Sequence, residues 1–366
     1  MNRKPVIVFI LLFMYFMIPK IDLISMPGTV TGIRLQDLIT FFVFIVLFDC
    51  KINKERVFLL FLFTLHLLYS ILFWQSFTSI YGYFRMIEYF FVAKGIIFII
   101  ESGYWRNFFN YTFVLILITA LGQYVALIPN IDPGRGIIYS NQFSGPFGTP
   151  TELTYFMITA MYLSYQVDRV GIVKFTCSSL VLLNGVKAGI LGFLVLALQH
   201  IKNNIVVIVL LIIFTTASIF LIYDYVLIGI EFIKEIFARI AISGGATSQG
   251  MNITDISEES LRYRVDKWST TLVQLIENPL ALIFGFGVYS YTSALDGGIL
   301  KFLFEFGFLP FLMIMFILFR ISRSFFFIVI AVSTFFDSYT SSVTMPVLIA
   351  TFQIINKKLH DKKNEG

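Results

Sequence analysis

The sequence predicts an all-α polytopic membrane protein whose chain crosses the bilayer about twelve times. Of the 366 residues, 58% are hydrophobic and 13% are charged, and the mean hydropathy of +0.85 is unlike that of an ordinary soluble globule. Apolar runs close to the length that a helix needs to cross about 30 Å of hydrocarbon recur along the chain. Membrane-spanning strands would instead give ten-residue segments of alternating character. These observations favour a bundle of membrane-spanning helices.

The first predicted span follows a basic N-terminus. The stretch MNRKPVIVFILLFMYFMIPK joins basic residues to an apolar core, as a signal peptide does. It has no small-residue cleavage site, so we expect it to remain as a span. The remaining spans follow the later apolar runs in order. The predicted spans are residues 5–19, 36–49, 57–75, 80–100, 108–128, 150–166, 170–184, 186–200, 204–223, 297–319, 324–338 and 341–356.

Lys and Arg residues orient these spans, because cytoplasmic loops of membrane proteins carry an excess of them. With the N-terminus inside, the short external turns near residues 76–79 and 338–341 carry no Lys or Arg. Both termini are therefore predicted to be cytoplasmic, and residues 1–366 form a single integral membrane domain. Two longer segments, 129–149 and 224–296, are then the external loops. The cytoplasmic segments collect Arg3, Lys4, Lys51, Lys54, Arg56, Arg106, Arg169, Lys174, Lys202, Arg320, Arg323 and the tail NKKLHDKKNEG.

The larger external loop, 224–296, is predicted to hold an amphipathic helix within TDISEESLRYRVDKWSTTLVQLIENP. Ser257 is a favourable N-cap, and the pair Asn278-Pro279 ends the helix. Arg262 and Arg264 flank opposite edges of its apolar stripe. Two interpretations follow: the arginines reach lipid headgroups, or at least one of them binds a phosphorylated ligand at the interface. The apolar stripe consists of Leu261, Val265, Trp268, Leu272 and Leu275.

The first external loop, 129–149, contains Arg135 between two glycines, followed by a turn rich in Gly and Pro. The sequence Thr149-Pro150-Thr151-Glu152 is a capping box that predicts the start of the next helix. A helix N-terminus beside an arginine is a favourable anion site. The alternative is an ordinary Gly/Pro turn with a solvated Arg135.

Charged residues inside the predicted spans cluster toward the external face. Arg85 and Glu88 are three residues apart, and Lys301 and Glu305 are four apart, so each pair shares one face of its helix. Lys187 lies in the outer part of another span. Charges within spans usually face a bundle interior or a cavity. We therefore expect these groups and the two external loops to meet in one leaflet.

The sequence predicts neither a metal site nor a disulfide framework. It has two cysteines, Cys50 and Cys177, and three histidines that lack metal-ligand spacing. No metal or other cofactor is therefore expected. His66 falls in the middle of a span, where we expect a packed, hydrogen-bonded side chain rather than a catalytic one.

A cationic and aromatic pocket at the outer interface suits an amphiphilic phosphate ligand. The sequence has no Walker loop and no D-x-D triplet for a metal-bound nucleotide sugar. A lipid pyrophosphate sugar carries its own leaving group. Its site would need cations for the pyrophosphate, a carboxylate for the acceptor proton and aromatic faces for the sugars. Aromatic residues in or beside the external loops are Tyr139, Phe143, Phe147, Tyr263, Trp268, Tyr289 and Tyr291.

The chain resembles a bacterial O-antigen polymerase of the Wzy type. The resemblance rests on the span number, the two external loops, GRGIIYSNQFSGPFGTPTEL in the first loop, and SLRYRVDKW followed by ENPLALIFGFGVYSYTSALDGGILKFLFEFG. It implies a GT-C-like membrane glycosyltransferase fold. It also implies that a growing glycan is transferred, without metal, from undecaprenyl pyrophosphate to the next lipid-linked repeat unit at the periplasmic face of the inner membrane. The lipid bilayer, a chain-length regulator and a flippase are implied partners, and nucleic acid is not.

The resemblance points to the loop arginines Arg135, Arg262 and Arg264 as site residues, and the other candidates follow from the charge, aromatic character and position of each side chain. The candidate pyrophosphate ligands are Arg135, Arg262, Arg264, Lys187, Lys301 and Arg85. The candidate general bases are Glu305, Asp296 and Asp266. The candidate sugar-stacking residues are Tyr139, Phe143, Trp268 and Tyr289.

Two features of the chain bear on the alternatives. The R-x10-G pattern of some family members is absent, because Pro146 and Leu275 occupy the glycine positions. The larger loop has no histidine, whereas O-antigen ligases use one there, so the sequence favours a polymerase over a ligase. A lipid-linked oligosaccharide flippase or other transporter is a further alternative, which would place charges along a cavity in both leaflets.

Overall fold

The structure is a computed structural model that describes most of the chain. The longest gap between described residues is 197–258. The described residues are 3–18, 22–25, 32–47, 54–75, 77–132, 136–138, 144–147, 149–167, 171–184, 186, 190, 192–193, 196, 259–288, 290, 297–334, 341 and 343–365.

The described residues are mostly helical, and they form thirteen helices and two short hairpins. The helices are α1 (Lys4–Met17), α2 (Leu35–Leu47), α3 (Lys54–Trp74), α4 (Thr78–Glu101), α5 (Trp105–Tyr124), α6 (Pro150–Val167), α7 (Gly171–Asn184), α8 (Glu259–Glu277), α9 (Pro279–Phe284), α10 (Gly298–Phe306), α11 (Phe308–Ile321), α12 (Arg323–Thr334) and α13 (Thr344–Glu365). The strands are β1 (Asp22–Ser25), β2 (Gly32–Arg34), β3 (Asn130–Asp132) and β4 (Gly136–Ile138).

The centre of the bundle is α6. Every residue from Glu152 to Ser164 is buried, and a helix that is buried on all sides belongs in the core. Helices α7, α12 and α13 pack directly against it. Helix α4 packs against α13 and against α1, α2 and α3. Helices α8 to α11 form a second group, and α8 and α10 of this group contain predicted site residues.

The two hairpins were not predicted from the sequence. Strand β1 pairs antiparallel with β2, with Ser25 opposite Gly32, and β3 pairs with β4, with Ile131 opposite Ile137. The second hairpin belongs to the predicted first external loop, and Arg135 of that loop lies outside the described residues.

Most predicted helical segments are confirmed as helices. The amphipathic helix is confirmed as α8, which ends at Glu277 directly before the predicted Asn278-Pro279 stop. The single helix predicted for residues 297–319 is wrong, because the chain breaks at Gly307, where φ is +82°. Segments 204–223 and most of 186–200 lie outside the described residues.

The all-α fold class is confirmed for the part of the chain that the structure describes. Within that part, no helix combines the length and the apolar character that are needed to cross a membrane. The twelve membrane spans therefore stay a prediction.

Candidate functional site

Two short helices end against each other at a pair of glycine breaks, which we call the glycine crossing (residues 284–287 and 304–307). Gly285 directly follows α9 and has φ of 78° and ψ of 175°. Gly307 directly follows α10 and has φ of 82° and ψ of 176°. The backbone N–H of Phe286 donates to the carbonyl of Phe304 at 2.8 Å. The next donor, Gly287 N–H, bonds the carbonyl of Glu305 at 2.9 Å. These bonds satisfy carbonyls that the end of α10 leaves without helical partners.

Glycine is required at the crossing because the two backbones are almost in contact. A Cβ built on Gly285 would lie 2.2 Å from the Glu305 carbonyl oxygen, and one on Gly307 would lie 2.3 Å from the Ile283 carbonyl oxygen. A Cβ on Gly287 would lie 2.6 Å from the Oγ atoms of Ser70 and Ser79, so α3 and α4 press on the crossing from the other side. The φ and ψ values at Gly285 and Gly307 belong to a region that is essentially restricted to glycine.

Helix α10 brings the predicted base and a predicted phosphate ligand into the protein interior. The Glu305 side chain is 0% exposed and Lys301 is 6% exposed. They lie four residues apart, and therefore on one face of the helix. Phe304 lies between them in the sequence and stacks on Phe286, with ring centroids 4.5 Å apart. Burying two ionisable side chains within one nine-residue helix costs free energy, and such groups cluster at functional sites. Lys301 and Glu305 are therefore candidates for a functional role.

His66 of α3 contacts both segments of the glycine crossing, 284–287 and 304–307. Its Nε2 lies 2.7 Å from the carbonyl oxygen of Phe284, and its Nδ1 is hydrogen-bonded to the Tyr83 hydroxyl. The imidazole also stacks on the ring of Phe306, with centroids 5.4 Å apart and planes 21° apart. The sequence-based expectation of a packed, hydrogen-bonded His66 is therefore confirmed. Its partners could not be named from the sequence, because Phe284 is 218 residues away.

Helix α8, which contains the predicted arginines, packs against α10. The two helices pack together, and the indole of Trp268 covers Gly297, where a Cβ would lie 3.1 Å from Trp268 Nε1. Arg262, Arg264 and Asp266 belong to α8, and their side chains lie outside what the structure describes. Trp268 is half-buried against Gly297. Its predicted sugar-stacking role stays a prediction.

Arg85 lies at a different place, between α2 and α4. It is 2% exposed and forms ion pairs with Asp37 and, at 3.7 Å, with Glu88. It also donates a hydrogen bond to the Tyr81 hydroxyl and lies over the Tyr81 ring. The predicted pairing with Glu88 is confirmed, and the main partner, Asp37, comes from a neighbouring helix. Pyrophosphate binding by Arg85 stays a prediction.

The predicted start of α6 at Pro150 is confirmed, and so is the Thr149 half of the predicted capping box. Thr149 Oγ1 accepts a hydrogen bond from the backbone N–H of Glu152 at 3.2 Å, as an N-cap does. The buried Glu152 carboxylate accepts a hydrogen bond from Ser341 Oγ at 2.5 Å. The preceding turn is held by Gln123, whose side-chain carbonyl accepts from the backbone N–H groups of Ser144 and Gly145 at 2.9 and 2.8 Å. The turn at residues 144–147 is therefore fixed to α5.

Six of the predicted site residues lie outside the described residues: Arg135, Tyr139, Phe143, Lys187, Tyr289 and Asp296. Of the predicted residues with described side chains, Glu305, Lys301 and Trp268 belong to the packed pair α8 and α10, and Arg85 belongs to the separate pair α2 and α4. The glycine crossing itself was missed. A signal for it is present in the sequence, since FGFG at 284–287 and FG at 306–307 place glycines after short apolar helices, where helices commonly end.

Among the described residues, no group of three or more His, Cys, Asp or Glu side chains is placed to hold a metal ion. Comparison of the chain with protein-family models, with curated proteins and with solved structures gives no match in any of the three.

Proposed function

We propose that this chain is an O-antigen polymerase of the Wzy type, a metal-independent glycosyltransferase of the bacterial inner membrane. The observation that carries the proposal is the contact between α8 and α10. One helix holds Arg262 and Arg264, and the other holds the buried pair Lys301 and Glu305. Cations for a pyrophosphate and a carboxylate for an acceptor proton are thus supplied by two helices that touch.

In the proposed reaction, a hydroxyl of the lipid-linked acceptor unit attacks the anomeric carbon of the growing glycan. The bond from that carbon to undecaprenyl pyrophosphate breaks, and the pyrophosphate leaves with the electron pair. Glu305 accepts the proton from the attacking hydroxyl. Lys301 and the arginines of α8 stabilise the negative charge that develops on the leaving group. Burial of Glu305 keeps bulk water away from the carboxylate, which favours transfer to a sugar over hydrolysis.

The proposed membrane location is supported by the apolar surface of the described helices. Large apolar side chains are exposed along α3 and α11, including Leu72 at 73% and Phe316 at 65%. Exposed apolar side chains in this number favour an apolar environment. We propose that lipid acyl chains supply it, with both termini cytoplasmic and the α8–α10 site at the periplasmic face.

The proposal is tested by deleting the gene in its host and comparing surface lipopolysaccharide on gels. Loss of a polymerase should leave lipid A-core that carries a single repeat unit. Complementation with the wild-type gene should restore the ladder, and E305Q, which keeps the size of the side chain and removes its basicity, should not. Lipid A-core without any repeat unit would instead identify a ligase or a flippase. A normal ladder from E305Q would remove Glu305 as the base.

A further inference from the structure

We infer that His66 is a positioning residue that sets the location of Glu305 through the glycine crossing. The inference rests on the proposed function for its effect on activity, and on geometry alone for its effect on the crossing. His66 is on α3, whereas Glu305 is on α10, and the crossing is the structure that joins them.

The hydrogen bonds of His66 define its tautomer. A carbonyl oxygen only accepts hydrogen bonds, so Nε2 must carry the hydrogen that is donated to Phe284. In a neutral imidazole, Nδ1 then accepts from the hydroxyl of Tyr83. Tyr83 is 5% exposed and belongs to α4. His66 is therefore held from one side by α4 and holds the end of α9 on the other.

Phe284, which His66 binds, is connected to Glu305 by a short chain of contacts. Phe284 is the last residue of α9, and Gly287, three residues later, donates to the carbonyl of Glu305 itself. Between them, Gly285 packs against the same carbonyl so closely that no side chain fits. A displacement of Phe284 therefore displaces the last turn of α10, where the Glu305 side chain begins. Small displacements of this kind matter because a misplacement of about 1 Å can reduce a rate roughly a hundredfold.

The stacking of His66 on Phe306 connects His66 to the second segment of the crossing, 304–307. Phe306 is the last residue of α10 and directly follows Glu305. One imidazole thus contacts the terminal residues of both α9 and α10.

Two substitutions separate the hydrogen bonds of His66. In H66Q, the side-chain amide nitrogen is placed near the position of Nε2 and can still donate to Phe284. In H66N, the shorter amide can replace only the bond that Nδ1 accepts from the Tyr83 hydroxyl. We expect H66Q to retain polymerisation within about threefold of wild type, and H66N and H66L to lower kcat by roughly tenfold to a hundredfold with little change in KM.

A matched control comes from the same two helices. Tyr69 of α3 donates to the carbonyl of Leu280 in α9 at 3.2 Å, four residues before the crossing, and its ring contacts Phe284. Y69F removes the hydroxyl and keeps that ring. Y69F should therefore keep kcat near wild type. Equal losses in Y69F and H66N, or equal losses in H66Q and H66N, would overturn the inference, because then any contact between α3 and α9 would matter equally.

A disulfide assay reports on the crossing without reference to activity. In full-length protein with C50S and C177A, the pair F286C and F304C places two thiols where the rings stack at 4.5 Å and the backbones are hydrogen-bonded. Oxidation in membranes should link them efficiently, and addition of H66N should slow the linkage severalfold, whereas H66Q should not. Unchanged linkage in H66N would overturn the inference. Slower linkage, with lipid A-core that lacks any repeat unit after gene deletion, would support the inference and reject the proposed function.

Discussion

At the residue scale, the buried charges of α10 raise the question of whether Lys301 and Glu305 only neutralise each other. An ion pair within a helix is insensitive to the direction of its charges, apart from a small effect of the helix dipole. A general base and a phosphate ligand are not, because each must face its own partner. Exchanging the two charges therefore distinguishes the two roles.

We predict that the double exchange K301E/E305K abolishes chain extension while the protein still inserts into the membrane. The pair keeps its net charge, so loss of activity would come from the roles of the individual groups rather than from uncompensated burial. The measurement is the lipopolysaccharide ladder, normalised to protein in the membrane fraction. A ladder of wild-type length would assign the pair a structural role.

The arginines of α8 make a second residue-scale prediction, which follows from the helix. Arg262 and Arg264 are two positions apart on one helix, which separates them by about 160° around the helix axis. The two residues therefore face different surroundings. Lysine lacks the planar fork that binds a phosphate through two bonds. We predict that R262K or R264K, but not both, abolishes long chains, with a loss of roughly a hundredfold in rate.

Arg135 should behave like the sensitive member of the pair, so R135K should also abolish long chains. The measurement is the distribution of chain lengths, with each variant quantified in the membrane fraction. Normal ladders from R135K, R262K and R264K together would leave headgroup contact as the role of all three.

At the element scale, the glycine crossing is a pair of helix ends that support each other. The positive φ values and the close approach of two backbones are separate requirements, and Gly103, outside the crossing, meets only the first of them. Gly103 has φ of +80° but no atom lies within 4 Å of a Cβ built on it. Comparison of Gly307 with Gly103 therefore separates backbone strain from collision.

We predict that G307A lowers the free energy of unfolding by roughly 3 kcal/mol or more, because it combines strain at a glycine-only conformation with a Cβ that overlaps a carbonyl. G103A should cost about 1 kcal/mol from strain alone. The measurement is thermal unfolding of the protein purified in detergent. Equal shifts in the two variants would show that the contact with Ile283 is not tight.

The elements also show what the sequence can and cannot predict. The end of α8 is predictable because Asn278-Pro279 is a local signal, and the start of α6 because Thr149 caps it locally. The break at Gly307 is not visible to hydropathy, since apolar residues continue on both sides of it and only the backbone dihedral angle changes. The partners of His66 and Arg85 are not predictable from one sequence, because they depend on how distant helices pack.

At the scale of the whole molecule, the distribution of Lys and Arg predicts which side of the membrane each segment faces. The largest predicted external segment, 224–296, includes α8 and brings it to the same side as the start of α10. This placement is a consequence of the short loops and not of the site. It can therefore fail independently of the proposed chemistry.

We predict that a reporter fused after Lys363 gives a cytoplasmic signal, and that one inserted near Gly245 gives a periplasmic signal. Paired alkaline phosphatase and green fluorescent protein fusions measure this, since each is active on one side only. A cytoplasmic signal from the Gly245 insertion would contradict both the span assignment and the location of the site.

The ion pair between Arg85 and Asp37 has a consequence for how the chain is made. The two residues are 48 positions apart, and α3 lies between their helices. At about 5–20 residues per second of synthesis, the carboxylate of Asp37 precedes its partner by roughly 2–10 s. If these helices enter a bilayer, α2 must be retained near the insertion machinery until α4 arrives, because a charge released into lipid without its partner is costly. The segment from α2 to α4 is then a unit of biogenesis, and chains that stop before Arg85 should be substrates for membrane proteases.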